Sequence, residues 1–309
     1  MNFMKHGVKK MIKVNNVSKS FDNFLALDSL SINVEKGSIY GLVGPNGAGK
    51  TTLMKAIAGI YRLNKGEILI NDKKSYENVD IKNETIYISD ELFFFNNFSI
   101  KQMAELYKMV YTNWDQERYN NLKEVFKIDE KRNANKLSKG MQKQVAFWLA
   151  MSARPKVLLL DEPLDGLDPV MRRKVLNIIM QDVDENKTTV MISSHNLREL
   201  EDICDHVGIL SKGKLVLQRQ IDDLKTETHK IQVAFPNGTF PEELSKKFNL
   251  LRKSQLGTVY SIILKGDKEE ILKEFKKYKP LILDIIPLTL EEIFIYEVGG
   301  EDSELNEII

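Results

Sequence analysis

One short stretch sets the strongest limit on what this chain can fold into. The residues from Gly44 to Thr51, GPNGAGKT, match the pattern G-x-x-x-x-G-K-[ST] at every fixed position. An apolar run, residues 38–43, precedes this stretch, and a helical pattern follows from Lys50 to about Ala58. Glycines let backbone N–H groups point at an anion, and a helix that starts there adds its positive N-terminal end. The order of strand, loop and helix therefore predicts a loop that binds phosphate.

Three polar side chains at the end of this loop have expected contacts. Lys50 is predicted to meet the β- and γ-phosphates as a point charge, Thr51 to offer its hydroxyl to Mg²⁺, and Thr52 to reach the α-phosphate. A glycine-rich turn without a ligand is the alternative, and it leaves the flanking strand and helix unexplained. The predicted nucleotide-binding residues are Gly44, Pro45, Asn46, Gly47, Ala48, Gly49, Lys50, Thr51 and Thr52.

A second element supports this prediction. The apolar run Val157–Leu160 ends in two carboxylates, Asp161 and Glu162. Asp161 lies at the carboxyl end of a predicted strand, where we expect it to hold the Mg²⁺ shell through water. Glu162 is one residue further and points to the opposite face, where it can orient or deprotonate a water. The alternative interpretation is a pair of acids that caps a helix.

Strand and helix patterns alternate as far as about residue 226, which is typical of a sheet covered by helices. Helical periodicity alone runs from about Ser99 to Met151 and predicts a helical insert in this α/β domain, residues 1–226. Residues 227–309 have a different texture and predict a small α+β domain of order βαββαβ. Its expected elements are strands at 230–235, 258–264 and 281–286 and helices at 242–248, 268–278 and 288–298.

Composition excludes several classes of protein. Lys and Arg number 45 against 44 Asp and Glu, a balance that argues against nucleic acid as the main partner. No apolar run reaches the roughly 18 residues that a membrane-spanning helix needs, and residues 1–14 lack the apolar core of a secretory leader. Cys204, the single cysteine, cannot form an intramolecular disulfide and is expected as a small buried residue on an apolar helix face. We therefore expect a cytoplasmic chain, or one held at the inner face of a membrane by a partner.

A third motif carries a family resemblance. Residues 137–142, LSKGMQ, precede a helix rich in Ala, Leu and Met and are similar to the L-S-G-G-Q signature of ABC-type ATP-binding subunits. The resemblance implies that Ser138 and Gly140 contact the γ-phosphate of an ATP, while Lys139 and Met141 replace the usual glycine and glutamine. Ser138 also fits a helix N-cap, and a capped helix end is itself an anion site, so the two interpretations are compatible.

Other positions of that family can be matched across residues 11–225. Asp168 lies in a segment that resembles the dimer-interface loop, and His195 resembles the switch histidine, which implies contact with the γ-phosphate and help in fixing Glu162. Phe21 stands at the aromatic position that stacks on adenine, with Phe24 as a competing candidate and core packing as the alternative for both. The implied fold is a P-loop NTPase core of ABC type with a helical insert, plus the small C-terminal α+β domain.

One family position differs. Asp90 stands where a glutamine usually binds Mg²⁺ and senses the transmembrane partner. Aspartate is still an oxygen ligand for a hard cation, so the predicted metal ligands are Thr51, Asp90 and Asp161. The alternative is that Asp90 is a solvated loop acid.

Four phenylalanines follow Asp90 closely. Phe93, Phe94, Phe95 and Phe98 lie where the family forms the groove for a short helix of its membrane subunit, and exposed aromatic side chains mark partner sites. The alternative is that most of them pack the insert against the α/β core.

The resemblance also implies a mechanism. ABC-type subunits form head-to-tail dimers, homomeric or heteromeric, with two Mg²⁺-ATP at the interface. The segment 287–294 and the Lys139–Met141 variant resemble ATP subunits of bacterial ABC-2-type exporters of peptides, antibiotics and toxins. A hydrophobic or amphipathic peptide, toxin or drug is thus the expected cargo, and a regulatory ABC ATPase without transport is the alternative.

Overall fold

The computed structural model describes residues 9–286 and 288–292. Contacts group the chain into two compact units, each as far as its residues are described. The first unit comprises Met1–His195 and Ile203–Gln218, and the second comprises Asn196–Asp202 and Arg219–Ile309. This grouping rests on contacts alone, so the domain boundary expected between residues 226 and 227 stays a prediction.

Strands and helices alternate along the first unit. In chain order they are β1 (Lys10–Phe21), β2 (Phe24–Glu35), β3 (Ile39–Val43), α1 (Lys50–Ile57), β4 (Lys65–Ile70), β5 (Lys73–Lys74), α2 (Val79–Glu84), β6 (Thr85–Ile88), α3 (Ile100–Val110), α4 (Gln116–Phe126), α5 (Lys139–Ser152), β7 (Val157–Leu160), α6 (Pro169–Asn186), β8 (Thr189–Ser194), β9 (His206–Ser211) and β10 (Lys214–Gln220). A short 3₁₀ turn covers Ala134–Lys136 in this unit, and another covers Leu197–Glu199 in the second unit.

The central sheet of this unit has six strands in the order β10-β9-β3-β8-β7-β6. The pairs from β9 through β3, β8 and β7 to β6 are parallel, as the short apolar runs predict. Every residue of β3, β7 and β8 is buried, which is typical of strands covered on both faces. The carboxyl ends of β3, β7 and β8 therefore lie side by side at one edge, and each predicted catalytic or phosphate-binding segment begins there.

Only one sheet is predicted for this unit, and the structure adds a second. It is antiparallel, with the order β2-β1-β4-β5, and β1 pairs with both β2 and β4. Its apolar residues, among them Val14, Leu30 and Ile68, join α1 and the central sheet in one buried cluster. This packing fixes α1, and with α1 the end of the phosphate loop.

The helical insert forms as predicted. A capping box begins α3, in which the Ser99 hydroxyl and the Gln102 side chain each accept a backbone N–H. Trp148 of α5 is fully buried, stacks on Tyr119 of α4 at 4.7 Å between ring centroids, and donates its indole N–H to the Tyr119 carbonyl. These contacts pack the insert around α5, the helix that follows the signature motif.

The second unit has the predicted βαββαβ order, and its strand at residues 249–256 is not among the elements expected from the sequence. Its elements are α7 (Ile221–Glu227), β11 (Thr228–Ala234), α8 (Glu242–Lys247), β12 (Asn249–Leu256), β13 (Val259–Lys265), α9 (Lys268–Lys276) and β14 (Ile282–Ile286). The sheet is antiparallel with the order β12-β13-β11-β14, the arrangement of a split βαβ, ferredoxin-like fold. Ile231, Ile262, Ile271 and Phe275 are fully buried at its centre.

Two expectations need correction or fall outside the structure. Cys204 is buried as expected, but it lies in a turn between the 3₁₀ turn Leu197–Glu199 and β9 rather than on a helix. The last predicted helix, 288–298, is described only to residue 292. The rest of that helix, the acidic tail, position 287 and residues 1–8 lie outside the described residues. Among the described residues, no helix combines the length and hydropathy that crossing a bilayer requires.

Candidate nucleotide-binding site

The predicted phosphate loop connects the end of β3 to the start of α1. Gly49, the N-cap of α1, has a φ of 106°, and a Cβ at this position would lie 2.7 Å from the Ala26 carbonyl oxygen. Only glycine fits that conformation and that distance. No side chain caps α1, so the N–H groups of its first turn are available to an anion. Thr51 is exposed and Thr52 half-buried, both in this first turn.

Lys50 is folded back onto the loop. Its side chain is buried, and its ammonium donates to the Gly44 carbonyl at 2.6 Å and lies 3.4 Å from the Pro45 carbonyl. It also forms an ion pair with Glu162, 3.2 Å from Nζ to Oε1. The Lys50 ammonium is therefore held at the loop by carbonyl oxygens and by one carboxylate.

Asp161 is fixed at the end of β7. Its carboxylate accepts the Ser193 hydroxyl at 2.7 Å and the Tyr87 phenol at 3.1 Å, and it is almost fully buried. Burial and the adjacent Asp161 charge raise the pKa of Tyr87, so this phenol keeps its proton and donates to the carboxylate. These two hydrogen bonds fix the position of the Asp161 carboxylate at the sheet edge.

Glu162 turns away from Asp161 through an unusual backbone conformation. Its φ is 45°, in the left-handed region that non-glycine residues adopt rarely and mostly at functional sites. Its N–H donates to the Ser193 hydroxyl at 2.9 Å, while its carboxylate reaches Lys50 and lies 3.0 Å from His195 Nδ1. The two acids therefore face different partners, as their neighbouring positions predict.

His195 follows β8 and is half exposed. The structure thus brings together the ends of β3, β7 and β8 in a chain of contacts from Lys50 through Glu162 to His195. Asp165, which was not predicted, offers a carboxylate oxygen within 4.8 Å of the ligand atoms of Glu162 and His195. Its place three residues after Glu162, the predicted catalytic residue, is the one sequence signal that could have indicated it.

The three predicted Mg²⁺ ligands differ in their surroundings. The Thr51 hydroxyl and the Asp161 carboxylate are oxygen donors of the kind that Mg²⁺ prefers, so their chemistry fits such an ion. Asp90 is instead in an ion pair with Lys143, 3.1 Å from Oδ1 to Nζ. Metal binding by these three residues stays a prediction.

The signature segment begins α5. Ser138 is exposed, and its hydroxyl accepts the Met141 N–H at 3.3 Å, which confirms the predicted N-cap. Lys139 is exposed as well. Gly140 approaches the loop after Glu162 closely, since a Cβ on Gly140 would lie 2.6 Å from the Gly166 carbonyl oxygen. Contact of this segment with a phosphate is not tested by these distances.

Asp168 caps α6. Its Oδ1 accepts the N–H groups of Val170 and Met171 at 3.1 and 3.0 Å, and Pro169 follows at the first helical position. A role for Asp168 in a dimer interface stays a prediction.

Phe21 and Phe24 are both exposed, by 38% and 63%, which excludes core packing for either one. The Phe21 ring meets the Tyr61 ring edge to face at 5.2 Å between centroids, and the Lys19 ammonium lies 4.8 Å from its centroid. Phe21 thus contacts Tyr61 and Lys19 and keeps part of its surface exposed. Stacking on adenine remains an expectation.

The phenylalanine segment is split by burial. Phe94 is buried, so its assignment to an exposed docking surface is wrong, and the core interpretation holds for this residue alone. Phe93, Phe95 and Phe98 are exposed and in contact, with centroid distances of 5.5 Å and 5.4 Å along the series. The Asn135 amide donates to the Phe94 carbonyl at 3.0 Å and ties the segment to the insert.

Several known proteins are similar to this chain in sequence or in fold. The family model described as ABC transporter matches residues 27–165. The ABC transporter ATP-binding protein YtrB of Bacillus subtilis is 33% identical over 94% of this chain and 99% of its own length. The lantibiotic transport ATP-binding protein SrtF of Streptococcus pyogenes is 31% identical over 69% of this chain and 92% of its own. A bacterial ABC transporter cassette solved as a dimer, MJ0796, superposes with a TM-score of 0.63 at 21% identity, over 68% of this chain and 99% of its own.

Fold, motifs and relatives agree. The chain belongs to the ABC transporter ATP-binding proteins. It is the ATP-binding subunit of a transport system and an ATPase, and its candidate nucleotide site lies at the ends of β3, β7 and β8.

Proposed function

We propose that this chain is the ATP-hydrolysing subunit of a bacterial ABC exporter, which closes as a dimer on two Mg²⁺-ATP and drives a hydrophobic or amphipathic peptide, toxin or drug through a separate membrane subunit. The proposal depends on one observation, the exposed aromatic cluster Phe93, Phe95 and Phe98. The cluster follows β6, a strand of the sheet that carries the candidate nucleotide site. The named activity of the lantibiotic transport relative supports the class of cargo.

The site residues have assignable tasks in hydrolysis. Lys50 exchanges the Glu162 carboxylate for nucleotide phosphate, and Thr51 and Asp161 hold Mg²⁺, which supplies positive charge to the phosphates when bound. Glu162, released from Lys50 and still beside His195, accepts a proton from the attacking water at its carboxylate. His195 keeps that carboxylate oriented. Phe21 offers its open face to adenine.

A dimer completes the site in this proposal. Ser138 and Gly140 lie at the N-terminal end of α5, which favours negative charge, so they suit the γ-phosphate of an ATP held by a second subunit. ATP then shifts the population toward the closed dimer by its higher affinity for that state. The solved dimer of a cassette with the same fold supports this arrangement.

The aromatic cluster has the properties of a docking surface. Three contiguous exposed phenylalanines form an apolar patch, and the buried Phe94 together with the Asn135 hydrogen bonds holds the segment in place. We assign this patch to the membrane subunit, which would hold the chain at the cytoplasmic face of the membrane.

A pull-down tests the proposal. Tagged Glu162→Gln chain is incubated with native membranes and Mg-ATP, and bound proteins are identified by mass spectrometry. Recovery of a multi-span membrane protein supports an exporter, and a second ATP subunit in the same sample makes the dimer heteromeric. Recovery of soluble partners alone favours a regulatory ATPase and contradicts the proposal.

Variants of the patch provide the control. Phe93→Asp with Phe95→Asp is expected to lose the membrane protein and keep basal ATPase and thermal stability. Val79→Asp, which changes a side chain that is 72% exposed elsewhere in the same unit, is expected to keep both. Unchanged recovery with the double variant would remove the aromatic cluster from the docking surface.

A further inference from the structure

Lys143 of α5 is a buried cation between two segments of the nucleotide site. Its side chain is 7% exposed, and its ammonium lies 3.1 Å from Asp90 Oδ1 and donates to the main-chain carbonyl of Glu162 at 2.7 Å. Asp90 belongs to the loop after β6, whereas Glu162 belongs to the turn after β7. One side chain therefore connects three parts of the first unit.

Such a cation needs a reason to be there. Most of the other buried residues of α5 are apolar, among them Val145, Ala146 and Phe147. Burial of an ammonium is costly unless it is paired and hydrogen-bonded, and Lys143 meets that condition through one carboxylate and one carbonyl. An apolar residue would fill the same space without that cost, so packing alone does not explain a lysine here.

The backbone of Glu162 is held at its N–H and at its carbonyl group. Its N–H donates to the Ser193 hydroxyl at 2.9 Å, and its carbonyl accepts from Lys143. Glu162 has a φ of 45°, a strained conformation that persists only where surrounding contacts enforce it. That conformation directs the carboxylate toward Lys50 and His195. The two anchors therefore determine where the catalytic carboxylate points.

We propose that Lys143 is a positioning residue for Glu162 and that Asp90 serves as its counter-charge. The pair would link the loop that carries the aromatic cluster to the catalytic carboxylate. This inference rests on the proposed role of Glu162 as the base. It gives Asp90 a task that a metal ligand could not share, because an Asp90 that turned to a cation would leave the Lys143 ammonium buried beside a carbonyl alone.

Steady-state kinetics of the purified chain provide the first test. Lys143→Met and Asp90→Asn are each expected to lower kcat by about tenfold to a hundredfold, the cost of a misplaced catalytic group, with no increase in KM for ATP. The double variant is expected to fall no further than Lys143→Met, and Lys143→Arg to recover part of the loss. Lys136→Met, on an exposed lysine just before α5, is the control and is expected to match the parent.

Nucleotide binding provides a second test that needs no turnover. Lys143→Met should bind Mg-ATP more tightly than the parent, because a loosened Glu162 competes less for Lys50. In the Glu162→Gln background the same change should leave the Kd unaltered. A purely structural lysine would instead weaken binding or shift it equally in both backgrounds.

Three results would overturn the proposal. One is a Lys143→Met variant with the parent kcat and Kd; another is an equal change of Kd with and without Glu162. The third is a shift of the Mg²⁺ half-saturation in Asp90→Asn that Lys143→Met does not share, since this would make Asp90 a metal ligand. Failure of the membrane pull-down would remove the exporter and leave all three measurements unaffected.

Discussion

The Lys50 ammonium lies 3.2 Å from the Glu162 carboxylate, so the cation proposed to bind phosphate is paired with the acid proposed to activate water. Both side chains are largely buried, at 6% and 13% exposure, which strengthens their attraction relative to a solvated pair. In the proposed function, a nucleotide phosphate that enters the loop takes the place of this carboxylate. Phosphate binding and release of the base are therefore one event.

Replacement of the base should separate binding from turnover. Glu162→Gln is expected to lower kcat by about 10²- to 10⁴-fold, the usual contribution of general acid–base catalysis, and to bind ATP more tightly because Lys50 is freed. Phosphate release and calorimetry measure the two effects. Glu124→Gln, at an exposed position of α4, should behave as the parent. Parental turnover in Glu162→Gln would exclude this residue as the base.

Loss of the phosphate-binding cation should affect binding itself. Lys50→Met is expected to weaken ATP binding by about tenfold to a hundredfold, since a hydrogen bond from a charged donor contributes about 1.5–3 kcal/mol. Fluorescent ATP analogues or calorimetry give the Kd. Lys74→Met, at an exposed residue of β5, is the matched control. An equal Kd in both variants would contradict the assignment of Lys50.

A buried ion cluster should dominate the stability of the insert. Asp182 is almost fully buried, pairs with Arg118, and lies 3.6 Å from Arg154. Asp182→Ala leaves Arg118 without this partner and is expected to lower the free energy of unfolding by about 3–5 kcal/mol. Asp184→Ala, at a side chain that is 89% exposed, should change it by less than about 1 kcal/mol. Urea unfolding followed by tryptophan fluorescence measures both, and similar midpoints would refute the prediction.

The single cysteine should report unfolding. Cys204 is buried, and burial raises the pKa of its thiol, so little reactive thiolate is present near neutral pH. Iodoacetamide is expected to label the folded chain very slowly and the chain in guanidinium chloride with one equivalent. Cys204→Ser should take up no label in either state. Rapid stoichiometric labelling under native conditions would show that this turn opens readily.

Acid should destabilise the second unit through His229. Burial, with a smaller contribution from the Lys268 charge, lowers the pKa of His229 below 6.5, and its Nε2–H donates to the Gly266 carbonyl. Below pH 6.5 the unfolded chain binds a proton that the folded chain still excludes, so the free energy of unfolding falls as pH falls. His229→Gln keeps a donor and removes the titration. Its thermal stability should therefore depend less on pH between about 5 and 7; equal pH dependence in the two proteins would contradict this.

Local motifs made much of the site predictable. The phosphate loop, Asp161 and Glu162 each follow a short apolar strand, and parallel strands bring such ends to one edge of a sheet. The pairing of Asp90 with Lys143 could not be predicted this way, because 53 positions separate the two residues and their meeting depends on how α5 packs. A lysine within the apolar face of α5 was the only available signal.

Burial within loops was equally hard to predict. Phe93, Phe94 and Phe95 are chemically identical, and only the path of the loop decides that the middle one is buried. Cys204 was assigned to a helix because its apolar neighbours suit one, although the chain turns there to enter β9. Both differences arise where tertiary packing, and not local periodicity, selects the conformation.

The short distance between Gly140 and the Gly166 carbonyl explains which signature glycine this chain could lose. A single methyl group on Gly140 would overlap that oxygen, whereas the neighbouring position 139 faces solvent and already carries a lysine. The two positions therefore differ in the substitutions they tolerate. Position 139 accommodates a large or charged side chain, and position 140 accommodates neither. A designer who altered the signature of this subunit would be free at the first position and confined to glycine at the second.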